Sequence, residues 1–128
     1  MTEPIVFISR FRILDGKRTE VASMFAYAAD LIGSTKPRTA VYAAYADDSG
    51  TQARIVHAFQ DAAAMAIHFE GSDDRALSVS ALMVLTGFEV YGRAPDAAME
   101  QLRREAATSN AALEVFPDFL GGFIRTAS

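Results

Sequence analysis

His57-Ala-Phe-Gln-Asp-Ala-Ala-Ala-Met-Ala-Ile-His68 joins a strand to a helix, and its reading decides the fold. Upstream, Ala53–Phe59 sets Ile55, His57 and Phe59 against Arg54, Val56 and Ala58, a period of two. Asp61 stands where a helix N-cap belongs, because its carboxylate can accept the orphan backbone N–H groups of a first turn. From Ala62 the period is helical. Met65, His68 and Phe69 fall at i, i+3 and i+4, so an imidazole shares a face with apolar side chains. A strand-to-helix switch that delivers a histidine to an inner face is either a site or plain core.

The chain has 128 residues, 51% of them hydrophobic and 22% charged, which suits one domain over 1–128 with an ordinary core. There is no cysteine, so disulfides and thiolate metal sites are out, and two histidines do not make a dedicated metal site. A net charge of −4 argues against nucleic acid or an anionic membrane as partner. No apolar run has the length of a membrane span, and Met-Thr-Glu-Pro is not a basic leader. The expectation is a soluble, cytoplasmic protein.

Outward from the opening stretch, Ile5–Ile13 reads as a central strand with Phe7, Ser9, Phe11 and Ile13 on one face and Val6, Ile8, Arg10 and Arg12 on the other. Asp15-Gly16 turns the chain into a helix over 17–32 with a Val21, Met24, Phe25, Ala28, Leu31, Ile32 stripe, stopped by Gly33. Thr39–Ala46 and Ala53–Phe59 form a hairpin around Asp47-Asp48-Ser49-Gly50. After the second helix, Ser72-Asp73-Asp74 caps a further helical piece bearing Leu77, Ala81, Val84 and Leu85. Phe88–Tyr91 is the fourth strand. Pro95 opens a helix with Met99, Leu102 and Ala106 inward, and Phe116–Arg125 is a short strand or docked coil. The order β-α-β-β-α-β predicts an α+β, ferredoxin-like fold with an antiparallel sheet covered by helices on one face. Its other face, with Val6, Ile8, Val56 and Ala58, is most economically covered by a second copy, giving a homodimer.

Over residues 4–93 the chain resembles the antibiotic biosynthesis monooxygenase family. The resemblance rests on Phe7-Ile8-Ser9-Arg10-Phe11-Arg12-Ile13 with Asp15-Gly16-Lys17, on Phe59-Gln60-Asp61 followed by His68, and on Val90-Tyr91-Gly92. It implies a dimeric α/β barrel, with 94–128 as an extension. Some members oxygenate phenolic polyketides with O2 and no cofactor, neither metal nor flavin; others degrade haem. The haem-degrading members show an asparagine at the Ser9 position and rely on a tryptophan, and this chain has no Trp, which speaks against that activity. His57 stands where the family commonly has an acid, Phe59 keeps only the aromatic character of its position, and Pro37-Arg38 replaces a Pro-Gly turn.

Among the residues, His68 is the expected catalytic base, since an imidazole titrates near neutrality and suits removal of a phenolic proton. As a bland alternative it is a helix histidine bonded to backbone. His57 either lines the same cavity or serves as a structural bridge. Ser9 is the one small polar residue among Phe7, Phe11 and Ile13, and a buried hydroxyl needs a partner, a ligand or a carbonyl. Tyr42 can offer a phenol. Phe7, Phe11, Phe59, Met65 and Phe88 wall a pocket for a small aromatic or apolar ligand, or simply build the core. Arg10 and Arg12, which share a face with Val6 and Ile8, are expected to form salt bridges to acidic groups across subunits, Glu89 being the obvious candidate, or else to bind an acidic substrate. The leading expectation is a cofactor-independent monooxygenase of a quinol or polyketide phenol. A non-catalytic ligand-binding module and a non-oxidative isomerase or cyclase remain as alternatives.

Overall fold

A computed structural model describes residues 3–71 and 79–125. The elements are β1 (Ile5–Ile13), α1 (Arg18–Thr35), β2 (Thr39–Ala46), β3 (Gln52–Phe59), α2 (Ala62–Phe69), β4 (Met83–Tyr91), α3 (Asp96–Ser109) and β5 (Ala112–Phe116). The sheet order is β2-β3-β1-β4-β5. The ferredoxin-like core is as expected, with β1 central and its alternation matched to those of its neighbours: Phe7 lies opposite His57 on one side and Val90 on the other. The sheet is open within one chain.

Asp61 caps α2 as the sequence predicts, accepting the Ala64 N–H at 2.9 Å. It also holds Arg38 at 3.0 Å, so the Pro37-Arg38 departure ties the start of β2 to this cap. In the hairpin loop, Asp47 accepts the backbone N–H groups of Thr51 and Gln52 at 3.0 and 3.1 Å. The Gln52 bond is the largest cause of its carboxyl lying below the usual carboxylate range.

Four expectations need correction. First, α1 runs through Gly33 to Thr35, because nothing obliges a glycine with helical φ to stop a helix; the stop comes at Lys36, the residue that Pro37 pushes out of the helical region. Leu31 of the expected stripe is exposed. Second, β4 begins at Met83, so Val84 and Leu85 are strand and not helix. A bulge opposite Arg10/Phe11 puts Leu85 against Phe11 and Gly87 against Arg10, and inserts Thr86 between them. Leu85 and Phe88 thereby point the same way although three residues apart, which imitates helical spacing. The cap and Leu77 of that expected helical piece lie outside the described residues. Third, the sheet is mixed, not antiparallel: β5 pairs parallel with β4. A helical crossover returns the chain to the same end, which makes the next strand parallel. Fourth, the strand of the tail is Ala112–Phe116, ahead of the expected stretch. Asn110, left-handed at φ 53, caps α3 and reverses the chain into it.

The helices cover one face. Beneath α2 and α3 lie Phe59, Met65, Val90 and Leu102; beneath α1 lie Phe11, Ile13, Phe25 and Met83. On the open face Val6, Ile8 and Val56 are half-buried. Arg10 lies there between Glu89 and Glu114, each at 3.6 Å, so Glu89 meets it within one chain and not across subunits as expected, because β1 and β4 are neighbours in the sheet. A Cβ at residue 87 would lie 2.8 Å from Arg10 Nε, so Gly87 is what lets the guanidinium lie flat on the sheet. Tyr91 donates to Glu89 Oε1 at 2.6 Å, and that bond, then burial, pushes its phenol up from its ordinary value.

Candidate active site

The inner faces of β1, β3 and β4 and the helices α2 and α3 line a partly open cavity of about 730 Å³. Seven of the nine residues expected to form a site line it: Ser9, Tyr42, His57, His68, Phe7, Phe11 and Phe88. The other two, Phe59 and Met65, are fully buried behind it in the core. Phe59 nevertheless supports the site, since its ring lies 5.1 Å from that of His68.

Strand register positions the first set. Phe7 and His57 are partners across β1 and β3, and their rings stack at 4.0 Å with 13° between planes. This places His57 on the helix-covered face, answering the question of parity that its strand left open. His57 Nδ1 lies 3.2 Å from the Phe7 carbonyl oxygen. A carbonyl only accepts, so Nδ1 carries the hydrogen and, in the neutral ring, Nε2 carries the lone pair. His68 reaches the same cavity from the last turn of α2, its ring 5.3 Å from that of His57 and edge-on to it. Tyr42 meets His57 edge-on at 5.4 Å. Both histidines are at least 95% buried, being 5% and 3% exposed.

His68 Nδ1 is 2.8 Å from Thr39 Oγ1. A hydroxyl both donates and accepts, so Thr39 can hold His68 in either tautomer by turning its hydrogen. Ser9, 3% exposed, sits at the centre of β1 between Ile55 and Phe88 and lines the cavity. Its hydroxyl is thus placed where a ligand in the cavity can meet it.

The site also has a wall that sequence reasoning missed. Gln101, Leu102, Arg104, Glu105 and Thr108 of α3 close the cavity, so the extension beyond residue 93 completes the chain's own pocket. The signal was present: Gln101 and Glu105 flank the buried stripe Ala98, Leu102, Ala106 on the helical wheel. Thr39 had no such signal, because its partner is 29 residues away. A second, smaller groove of about 440 Å³ runs between α1 and β2, mostly against alanines. Tyr42 lines both spaces.

Chemically, the cavity combines an apolar, phenylalanine-rich interior with one hydroxyl, one phenol and two imidazoles. That set can bind a flat apolar molecule, orient its oxygens and accept a proton. Among the described residues no group of three His, Asp or Glu side chains is placed to hold a metal ion, and no helix is long and apolar enough to cross a membrane.

No family model matches the chain, and no curated protein matches it. Solved structures do. MupZ from Pseudomonas fluorescens is 18% identical with a TM-score of 0.67, covering 97% of this chain and 96% of its own. SnoaB from Streptomyces nogalater, described as a cofactor-independent oxygenase, is 17% identical in its N63A mutant with a TM-score of 0.60, covering 72% of this chain and 94% of its own. A candidate antibiotic biosynthesis monooxygenase from Chloroflexus aurantiacus J-10-fl is 14% identical with a TM-score of 0.56, covering 73% and 93%. At these identities the likeness is one of fold, and the chain has the ferredoxin-like fold of the antibiotic biosynthesis monooxygenases, with β5 joined to its sheet through the helix α3.

Proposed function

We propose that the chain is an enzyme that oxygenates an electron-rich aromatic, a quinol or polyketide phenol, with O2 and without metal or flavin. One observation carries this reading: Ser9 lines the same largely apolar cavity as the adjacent imidazoles of His57 and His68. The fold shared with SnoaB, described as a cofactor-independent oxygenase, supports it.

In this reading Ser9 and Tyr42 hold the substrate oxygens, and His68 takes the phenolic proton. The resulting anion is the reductant. Its ring carbon gives an electron pair to O2, forming a C–O bond and, after protonation, a hydroperoxide. The O–O bond then breaks as that carbon loses its hydrogen; one oxygen leaves as water and the other stays as a carbonyl. Substrate supplies all the electrons, so the protein provides only a dry cavity, orientation and a proton acceptor.

Incubation with dihydroxyaromatics under 18O2 is the test. One labelled oxygen in the product and matching O2 uptake are expected. Turnover without label would make the protein an isomerase or cyclase, and saturable binding without turnover would make it a binding module.

We propose also that two copies pair through the open sheet face. Val6, Ile8 and Val56, half-buried on the face opposite the helices, support this. Sedimentation equilibrium is expected to show a dimer at micromolar concentration; a monomer throughout the range defeats the pairing.

A further inference from the structure

The stretch Lys36-Pro37-Arg38-Thr39 carries the chain from α1 into β2. It forms a turn closed by the Thr39 N–H, which donates to the Lys36 carbonyl at 3.0 Å. Pro37 takes the second position of the turn, where its ring-fixed φ suits the backbone. The side chains around it therefore leave a short, hydrogen-bonded frame.

Three of those side chains reach α2, each at a different point. The Arg38 guanidinium lies 3.0 Å from both carboxylate oxygens of Asp61, the N-cap. Glycine at residue 38 could not make this contact. Lys36 Nζ donates to the Ile67 carbonyl at 2.8 Å, in the last turn. That carbonyl also takes the Glu70 N–H at 3.2 Å, and its two lone pairs serve both donors. An ammonium there suits the negative end of the helix dipole. Thr39 Oγ1 is 2.8 Å from Nδ1 of His68, the residue after Ile67. α2 is eight residues long, too short to hold itself as a helix. The Arg38–Asp61 pair is partly exposed, so it adds little to stability. What the three contacts supply together is direction: both ends of α2, and the ring it carries, are registered to one turn.

We propose that the turn over 36–39 is a positioning clamp for His68, in which Lys36 and Arg38 hold α2 at its two ends and Thr39 accepts the hydrogen of His68 Nδ1. It rests on the reading of His68 as proton acceptor given above. A hydroxyl can accept or donate, but only one choice serves a base. With Thr39 accepting, the lone pair of the neutral ring is on Nε2, the nitrogen that then serves a substrate in the cavity. The same bond persists when the ring is protonated, because an imidazolium donates from both nitrogens. With Thr39 donating, Nε2 would carry the hydrogen, and proton uptake there would wait on a change of tautomer. His57 needs no such device, since the carbonyl at its Nδ1 only accepts. Lys36, Arg38 and Thr39 are thus positioning residues that act through His68.

Nitrogen-15 labelling of the two histidines reads the rings directly, without turnover. At a pH where both rings are neutral, wild-type His68 is expected to carry its hydrogen on Nδ1, its signals being those lost in His68→Gln. Thr39→Val keeps the shape of the side chain without its hydroxyl, and is expected to move the His68 nitrogen shifts toward a mixture of tautomers. With a dihydroxynaphthalene that has a free para carbon as probe, Thr39→Val is expected to lower kcat by about tenfold to a hundredfold, as for a slightly misplaced reacting group, and to change KM by less than about twofold. Thr39→Ser is expected to restore both readouts. Lys36→Gln/Arg38→Gln, which leaves Thr39 in place, is expected to move the same ring signals and to lower kcat by less than Thr39→Val does. A wild-type His68 with its hydrogen on Nε2, or ring signals unmoved in both variants, overturns the clamp. An unchanged kcat in Thr39→Val, where His68→Ala is inactive, overturns it too, and a raised KM would then set Thr39 against the substrate itself. Ring signals that respond as expected beside full turnover in His68→Ala support the clamp and overturn the proton-acceptor reading. If the wild type turns over no such phenol, the ring signals alone decide the clamp.

Discussion

Replacing His68 with alanine is expected to lower turnover of an electron-rich phenol by about a hundredfold to ten-thousandfold, the range for loss of a positioned proton acceptor. The expectation follows from position. His68 is buried against Phe59 and Tyr42, edge-on to His57, and held through Nδ1 by Thr39. The variant strips Thr39 of its partner, so part of any loss of folding stability, about 1–3 kcal/mol, comes from that orphaned hydroxyl. His68→Gln separates the two effects. An amide can still meet Thr39 but cannot take up a proton near neutrality, so it restores stability without restoring the rate. Initial rates of O2 uptake beside urea denaturation read both quantities. Full activity in a folded His68→Ala protein removes His68 from the chemistry and leaves His57, whose Nε2 is the acceptor in its neutral tautomer, as the remaining imidazole.

Phe59→Ala is expected to cost about 3–5 kcal/mol, the range for deleting a buried aromatic ring. That is a large share of the roughly 5–15 kcal/mol that separates a folded domain from its unfolded chain. Phe59 is fully buried where the end of β3 meets α2, opposite Ile5 on one side and Thr39 on the other. Its loss therefore opens a hole behind His68 and loosens the strand start that carries Thr39. Urea denaturation measures the effect. A loss below about 1 kcal/mol would mean that the surroundings collapse into the gap, contrary to a close-packed core.

Much of this was legible in the sequence where one local rule acted alone. Strict alternation fixed the faces of β1 and β3, and the cap at Asp61 set the phase of α2, so His68 reached the inner face by counting. Reading failed where two rules overlapped. The bulge at Thr86 added a residue to β4, and period-two spacing then looked like three. β5 is short and exposed along most of its length, so its alternation carries little hydrophobic contrast, and its direction is set by the crossover of α3. Phe59 and Met65 were expected at a pocket because they share the apolar character of its walls. Whether such a residue faces a cavity or the packing behind it depends on where α3 sits, which no local pattern encodes.

Tyr42 separates the inner cavity from the groove outside, and it does so from β2, a strand hydrogen-bonded along one side only. The boundary between the two spaces thus rests on one ring, mounted on an edge strand. A smaller side chain at residue 42 would join the cavity to the groove, so one position on one edge governs how far a bound molecule can extend on that side.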